Sequence, residues 1–165
     1  IAAAKKENYF HNTIFVILGD HGMGHKSQQS LIGSLSLHYY HVPLAIYAPG
    51  LGIEHKEIDR VASSIDLMPT IMGLLNVPYT NTSLGIDLLS NQSYPGYSFL
   101  FTPSNSTYGL ISNDYFVISD ITGEHLIYDN INESLITSIN PEIEYMINLN
   151  EAYYHISKYL RYHNE

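Results

Sequence analysis

Cysteine is absent from the 165 residues, and so is tryptophan. The lack of cysteine excludes disulfides, thiol nucleophiles and thiolate metal sites, although it leaves the compartment open. Charge is scarce as well. Charged residues make up 14% of the chain, and the basic ones number only 7 against 16 acidic, for a net charge of −9. A surface so poor in lysine and arginine is unsuited to tracking phosphate backbones, so nucleic acid is excluded as a partner class. No apolar run approaches the roughly 20 residues of a transmembrane helix. What fills the chain instead is 45% hydrophobic residues, 15 tyrosines and many Asn, Ser and Thr. That is enough apolar material for a folded core, and it lacks the high charge of disordered segments.

The chain opens at Ile1 without methionine or a signal-peptide pattern, as expected of a piece cut or processed from a longer protein. Residues 1–9 read as the tail of a helix, rich in Ala and Lys and stopped by Asn8. Thr13–Leu18 and Pro43–Ala48 are short, continuous apolar runs, the second closed by Pro49-Gly50. Runs of this kind predict central strands buried on both faces, as in a parallel sheet. Residues 25–37 form a Ser-rich loop or weak helix.

Asp66 reads as the N-cap of a helix running to Leu75, with Pro69 at its third position, where a missing N–H costs little. From Ser98 the pattern changes. Ser98–Phe101, Gly109–Ser112, Tyr115–Ser119 and His125–Tyr128 read as an antiparallel meander, with turns at Asn113-Asp114 and Thr122-Gly123. Asn140-Pro141-Glu142 opens a long amphipathic helix carrying Ile143, Met146, Ile147, Tyr153, Ile156 and Leu160 on one face. The order of elements implies an α/β fold. Two parts are expected, 1–92 as the α/β core and 93–165 as the antiparallel subdomain with its helix.

Ligands of open α/β sheets sit beyond the carboxyl ends of the strands. Asp20-His21-Gly22 lies there. A carboxylate and an imidazole side by side can reach one divalent ion, provided a turn rotates one of them, and Gly19 and Gly22 supply that freedom. Mixed oxygen and nitrogen ligands suit Zn²⁺ or Mn²⁺ better than Ca²⁺ or Mg²⁺.

Four ordered blocks then carry a family resemblance: Tyr9–Ile17 leading into Gly19-Asp20-His21-Gly22; His41–Gly50; Ser64–Leu75, with its D-x-x-P-T; and Gly85-Ile86-Asp87-Leu88-Leu89, with G-x-D-L. In this pattern the chain resembles the C-terminal part of the catalytic domain of the alkaline phosphatase/sulfatase superfamily. It looks closest to the lipoteichoic-acid-synthase-like branch of phosphoglycerol and phosphoethanolamine transferases. The resemblance implies an alkaline-phosphatase-like sandwich with a central, mostly parallel sheet, here truncated at its N-terminus. It implies one divalent metal, Asp20 and His21 among its ligands, an upstream threonine nucleophile and a covalent phospho-enzyme.

Nothing in this chain matches that nucleophile or the further acidic ligand, so this segment alone is expected to be inactive. His25 and Lys26, in the loop after the metal motif, are candidates for contact with the anionic substrate group. The implied substrate is a phosphate ester of a lipid or glycan head group. The implied setting is the extracytoplasmic face of the cell membrane, with an anchor upstream.

Two alternatives remain. A sulfatase would use the same fold on sulfate esters, and a catalytically dead relative would bind membrane lipid as a regulatory domain. Outside the motif, His38 and His41 are read as structural and Asp66 as a helix cap. His125, His155 and His163 are read as surface residues, and the helix tyrosines as packing on the body. Asn81, Asn91, Asn105 and Asn132 head Asn-x-Ser/Thr sequons.

Overall fold

The computed structural model describes residues 1–22, 37–90, 94–102 and 106–163. The chain divides into two compact units, Ile1–Ile58 and Asp59–Glu165.

In the first unit, strand β1 (Phe15–Leu18) pairs with β2 (Leu44–Tyr47). The expected parallel sheet is corrected here. The pair is antiparallel, with Phe15 opposite Tyr47 and Leu18 opposite Leu44, and no parallel pair occurs among the described residues. An apolar β-branched run reports a tendency to burial and says nothing of strand direction. The expected burial on both faces is also not met, since Ile17, Leu18, Leu44 and Tyr47 are all exposed. What packs is an aromatic cluster in which Phe15 and Tyr47 face each other across the strands and the buried Phe10 ring lies near both. Residues 1–9 are not a helix tail. They form a single 3-10 turn, Ala4–Lys6, and a second turn, Phe10–Asn12, follows. Pro49-Gly50 does turn the chain, with the Leu51 N–H donating to the Ala48 carbonyl at 3.1 Å.

The second unit contains helix α1 (Leu67–Leu75), a five-stranded antiparallel meander and helix α2 (Pro141–His163). The strands are β3 (Ser98–Thr102), β4 (Thr107–Ile111), β5 (Tyr115–Asp120), β6 (His125–Asp129) and β7 (Ser134–Ile136), each paired with the next. Four of them fall where the alternation of side chains places them, and β7 is an addition. Leu110, Val117 and Ile127 point from β4, β5 and β6 into the core, where Ile143 and Met146 of α2 and Tyr97 cover them. Asn140 caps α2 through its Oδ1, which accepts the Ile143 N–H at 2.8 Å.

Asp66 stands at the N-cap position of α1, as expected, but its side chain makes no cap hydrogen bond to that helix. A 3-10 turn at Ser64–Asp66 precedes the helix, and Ser63 stands at the turn's own cap position. Asp66 is therefore inside the turn, where its Oδ2 accepts the Ser63 N–H at 2.8 Å. Its Oδ1 accepts the Ile86 N–H at 2.9 Å. Four residues on, the Thr70 hydroxyl donates to the Asp66 carbonyl at 2.7 Å and accepts the Leu88 N–H at 3.0 Å. The D-x-x-P-T and G-x-D-L blocks are thus one locked unit. Gly85 lets the strap approach, because a Cβ there would collide with the Ile65 carbonyl. Arg60 secures the far end by donating to the Leu88 and Tyr94 carbonyls.

Candidate metal centre

Asp20 and His21 follow β1 directly, and both side chains are exposed. The backbone folds them toward each other. One carboxylate oxygen of Asp20, Oδ1, accepts the His21 N–H at 2.9 Å. The other, Oδ2, stands 3.8 Å from His21 Nε2. On the opposite side of the ring, Nδ1 lies 2.9 Å from the Gly22 carbonyl oxygen. A carbonyl can only accept, so Nδ1 carries the proton and Nε2 of the neutral ring keeps its lone pair. Among the described residues, the two atoms without a hydrogen bond, Asp20 Oδ2 and His21 Nε2, are the two that face each other.

This pair fits a divalent ion. Two ligands of a tetrahedral ion with bond lengths of about 2.0–2.2 Å lie roughly 3.4 Å apart, within a few tenths of an ångström of the observed gap. Oxygen plus imidazole nitrogen is a donor set for Zn²⁺ or Mn²⁺. Two ligands do not complete a site, and among the described residues no group of three or more His, Asp or Glu side chains is placed to hold a metal.

The glycines act differently from expectation. Neither Gly19 nor Gly22 is in the positive-φ region. Gly22 is required for space, since a Cβ there would strike the His38 carbonyl. Its N–H donates to the Tyr39 carbonyl at 2.9 Å. The Tyr39 ring stacks on the His21 imidazole, with centroids 5.4 Å apart and planes 7° from parallel. Nothing in the sequence points to this neighbour, which lies eighteen positions away.

His25 and Lys26 lie outside the described residues. His38 falls in the 3-10 turn Leu37–Tyr39, and His41 is exposed just before β2. His125 is corrected from a surface residue. It is partly buried, with Nδ1 2.8 Å from the Ser119 hydroxyl and Nε2 3.7 Å from Glu151. Ser119 also accepts from Asn150 Nδ2 at 2.9 Å. This Ser–His–Glu row superficially suggests a nucleophile relay, but Ser119 is 1% exposed and no substrate reaches it. Of the helix tyrosines, Tyr153 stacks on Phe99 and Tyr154 on Tyr108, and the exposed Tyr145 ring lies 6.4 Å from that of Tyr97, whereas Tyr159 and Tyr162 are exposed.

Residues 1–77 match the Sulfatase family. The fold is similar to that of a protein in the alkaline phosphatase superfamily from Vibrio parahaemolyticus, at 21% identity and a TM-score of 0.72, over 97% of this chain and 38% of that one. It is also similar to a protein solved in complex with its substrate D-glucosamine-2-N,6-O-disulfate, at 16% identity and a TM-score of 0.58, over 92% of this chain and 36% of that one. The chain thus spans well under half the length of either protein. The family match spans the metal motif but under half of the chain, and the two solved structures show a fold similar to that of sulfatase/alkaline phosphatase superfamily proteins.

Proposed function

We propose that this chain is the part of a phosphoryl-group transferase or hydrolase that contributes Asp20 and His21 to a single divalent-metal centre, and that the enzyme acts on phosphate esters of lipid or glycan head groups. The observation that carries this is the pairing of Asp20 Oδ2 with His21 Nε2 at 3.8 Å, with the ring's other nitrogen committed to Gly22. Bound there, the ion supplies Lewis-acid charge and acidifies an attacking oxygen. The protein's own part is to hold one carboxylate oxygen and one imidazole lone pair in place without further reorganisation. In this reading the remaining ligands and the nucleophile come from residues beyond those described, and the catalytic domain lies outside the cytoplasmic membrane.

The test is hydrolysis of a p-nitrophenyl phosphodiester and release of a lipid head group by the full-length protein, after chelation and readdition of Mn²⁺ or Zn²⁺. Activity should return with the metal in the parent and stay absent in His21→Ala and Asp20→Asn. Metal-independent turnover, or turnover unaffected by both substitutions, contradicts the proposal.

A second reading, sulfate-ester hydrolysis, is supported by the Sulfatase family match over residues 1–77. Cleavage of p-nitrophenyl sulfate in preference to the phosphodiester would favour it. No turnover of either ester, with lipid binding retained in His21→Ala, would favour a binding domain.

A further inference from the structure

We propose that Tyr39 is the positioning residue that presents His21 to the metal, an inference resting on the metal reading of the Asp20–His21 pair. Three contacts form a closed circuit. The Tyr39 carbonyl accepts the Gly22 N–H at 2.9 Å, the Gly22 carbonyl accepts from His21 Nδ1 at 2.9 Å, and the Tyr39 ring lies parallel to the imidazole. An exposed histidine on a turn would otherwise rotate about χ1 and χ2 and share its proton between the two nitrogens. Here one nitrogen is tied down and one ring face is covered. Nε2 is thereby both aimed toward Asp20 Oδ2 and left unprotonated.

Tyr39 can do this because its own backbone is fixed. It ends the 3-10 turn Leu37–Tyr39, whose first residue is 6% exposed. The Leu37 carbonyl accepts from both the Tyr40 and His41 N–H groups at 3.0 Å. The Tyr40 ring braces Tyr39 edge-on, 5.9 Å away. Partners of this kind, which touch a ligand rather than the ion, typically change metal affinity by ten- to a hundredfold when removed. The contribution of Tyr39 is the flat ring and the main-chain carbonyl, and its phenol oxygen has no part in the circuit.

That division sets the experiment, on the full-length protein with Tyr39→Phe and Tyr39→Leu. Two readouts are taken. One is Mn²⁺ or Zn²⁺ affinity by competition with a chromophoric chelator. The other is the His21 side-chain ¹⁵N shifts of the metal-free protein at mildly alkaline pH, which report the tautomer. Tyr39→Phe should match the parent in both. Tyr39→Leu should bind metal about tenfold more weakly, with its His21 signals moved toward a mixture of tautomers. An unchanged tautomer and affinity in Tyr39→Leu overturns the proposal, and so does equal loss in Tyr39→Phe. A parent protein without metal affinity, whose His21 still loses its tautomer preference in Tyr39→Leu alone, overturns the metal reading and leaves Tyr39 as the residue that orients His21.

Discussion

The Asp66 carboxylate accepts the Ile86 N–H at 2.9 Å, across twenty residues of chain. With its second oxygen on Ser63 N–H, one 5%-exposed side chain joins the start of α1 to the strap that follows it. Asp66→Ala would leave two backbone donors without acceptors. A loss of roughly 2–3 kcal/mol is expected, since an unpaired buried donor costs about 1–3 kcal/mol. Asp66→Asn, which keeps one carbonyl oxygen, should lose less. Urea unfolding followed by far-ultraviolet circular dichroism checks both values, and equal stability of Asp66→Ala and the parent would contradict the lock.

The neighbouring clamp should respond in the same sense. Thr70 is fully buried, and its hydroxyl is the acceptor for Leu88 N–H. Thr70→Val keeps the shape and removes the acceptor, so about 1–3 kcal/mol should be lost, whereas Thr70→Ser, which retains both bonds, should lose less. Hydrogen exchange at the Leu88 amide should accelerate in Thr70→Val and stay slow in Thr70→Ser.

Much of this unit was legible in the sequence, because its signals are local. Alternation over Tyr115–Ser119 and His125–Tyr128 marks strands with one buried face, and Asn140-Pro141 marks a helix start. β7 was not legible, since Ser134-Leu135-Ile136 is too short to alternate and is recognised only by its pairing with Ile127–Asp129. The antiparallel β1–β2 pairing was missed because continuous apolar runs carry no direction. At the site, Asp20 and His21 were legible as adjacent donors beyond a strand. Tyr39 was not, because a ring stacked on another across eighteen positions leaves no periodic trace. His125 was misread for the same reason, as its partner Ser119 becomes visible only once β5 and β6 are in register.

That buried row gives a further test. Ser119 holds Asn150 Nδ2 and His125 Nδ1 together on the inner side of α2. Ser119→Ala should cost about 1–3 kcal/mol by stranding the Asn150 amide. Glu151→Gln, at the half-exposed end of the row, should cost less than about 1 kcal/mol, as partly solvated ion pairs contribute little. Equal effects in thermal unfolding would contradict the distinction.

Alkaline pH should loosen the second unit. Burial is the main cause that raises Tyr94, Tyr97, Tyr108 and Tyr153 above the ordinary phenol value of 10.0, and Tyr94 is raised most clearly. Groups raised on folding contribute stability that is fully present below the unfolded value and lost as pH climbs through the folded one. The unfolding midpoint in urea should therefore fall as pH rises above 10, and the fall should be shallower in Tyr94→Phe. Phenolate absorbance of these residues should appear together with loss of helix signal. An unchanged midpoint above pH 10 would contradict their burial as phenols.

The most direct test of the central claim is anomalous diffraction from crystals of the full-length protein loaded with Zn²⁺ or Mn²⁺, recorded on both sides of the metal edge. The account predicts one strong peak about 2.0–2.2 Å from both His21 Nε2 and Asp20 Oδ2, with His21 Nδ1 still on the Gly22 carbonyl. A metal peak elsewhere, with the Asp20–His21 gap empty, would contradict it.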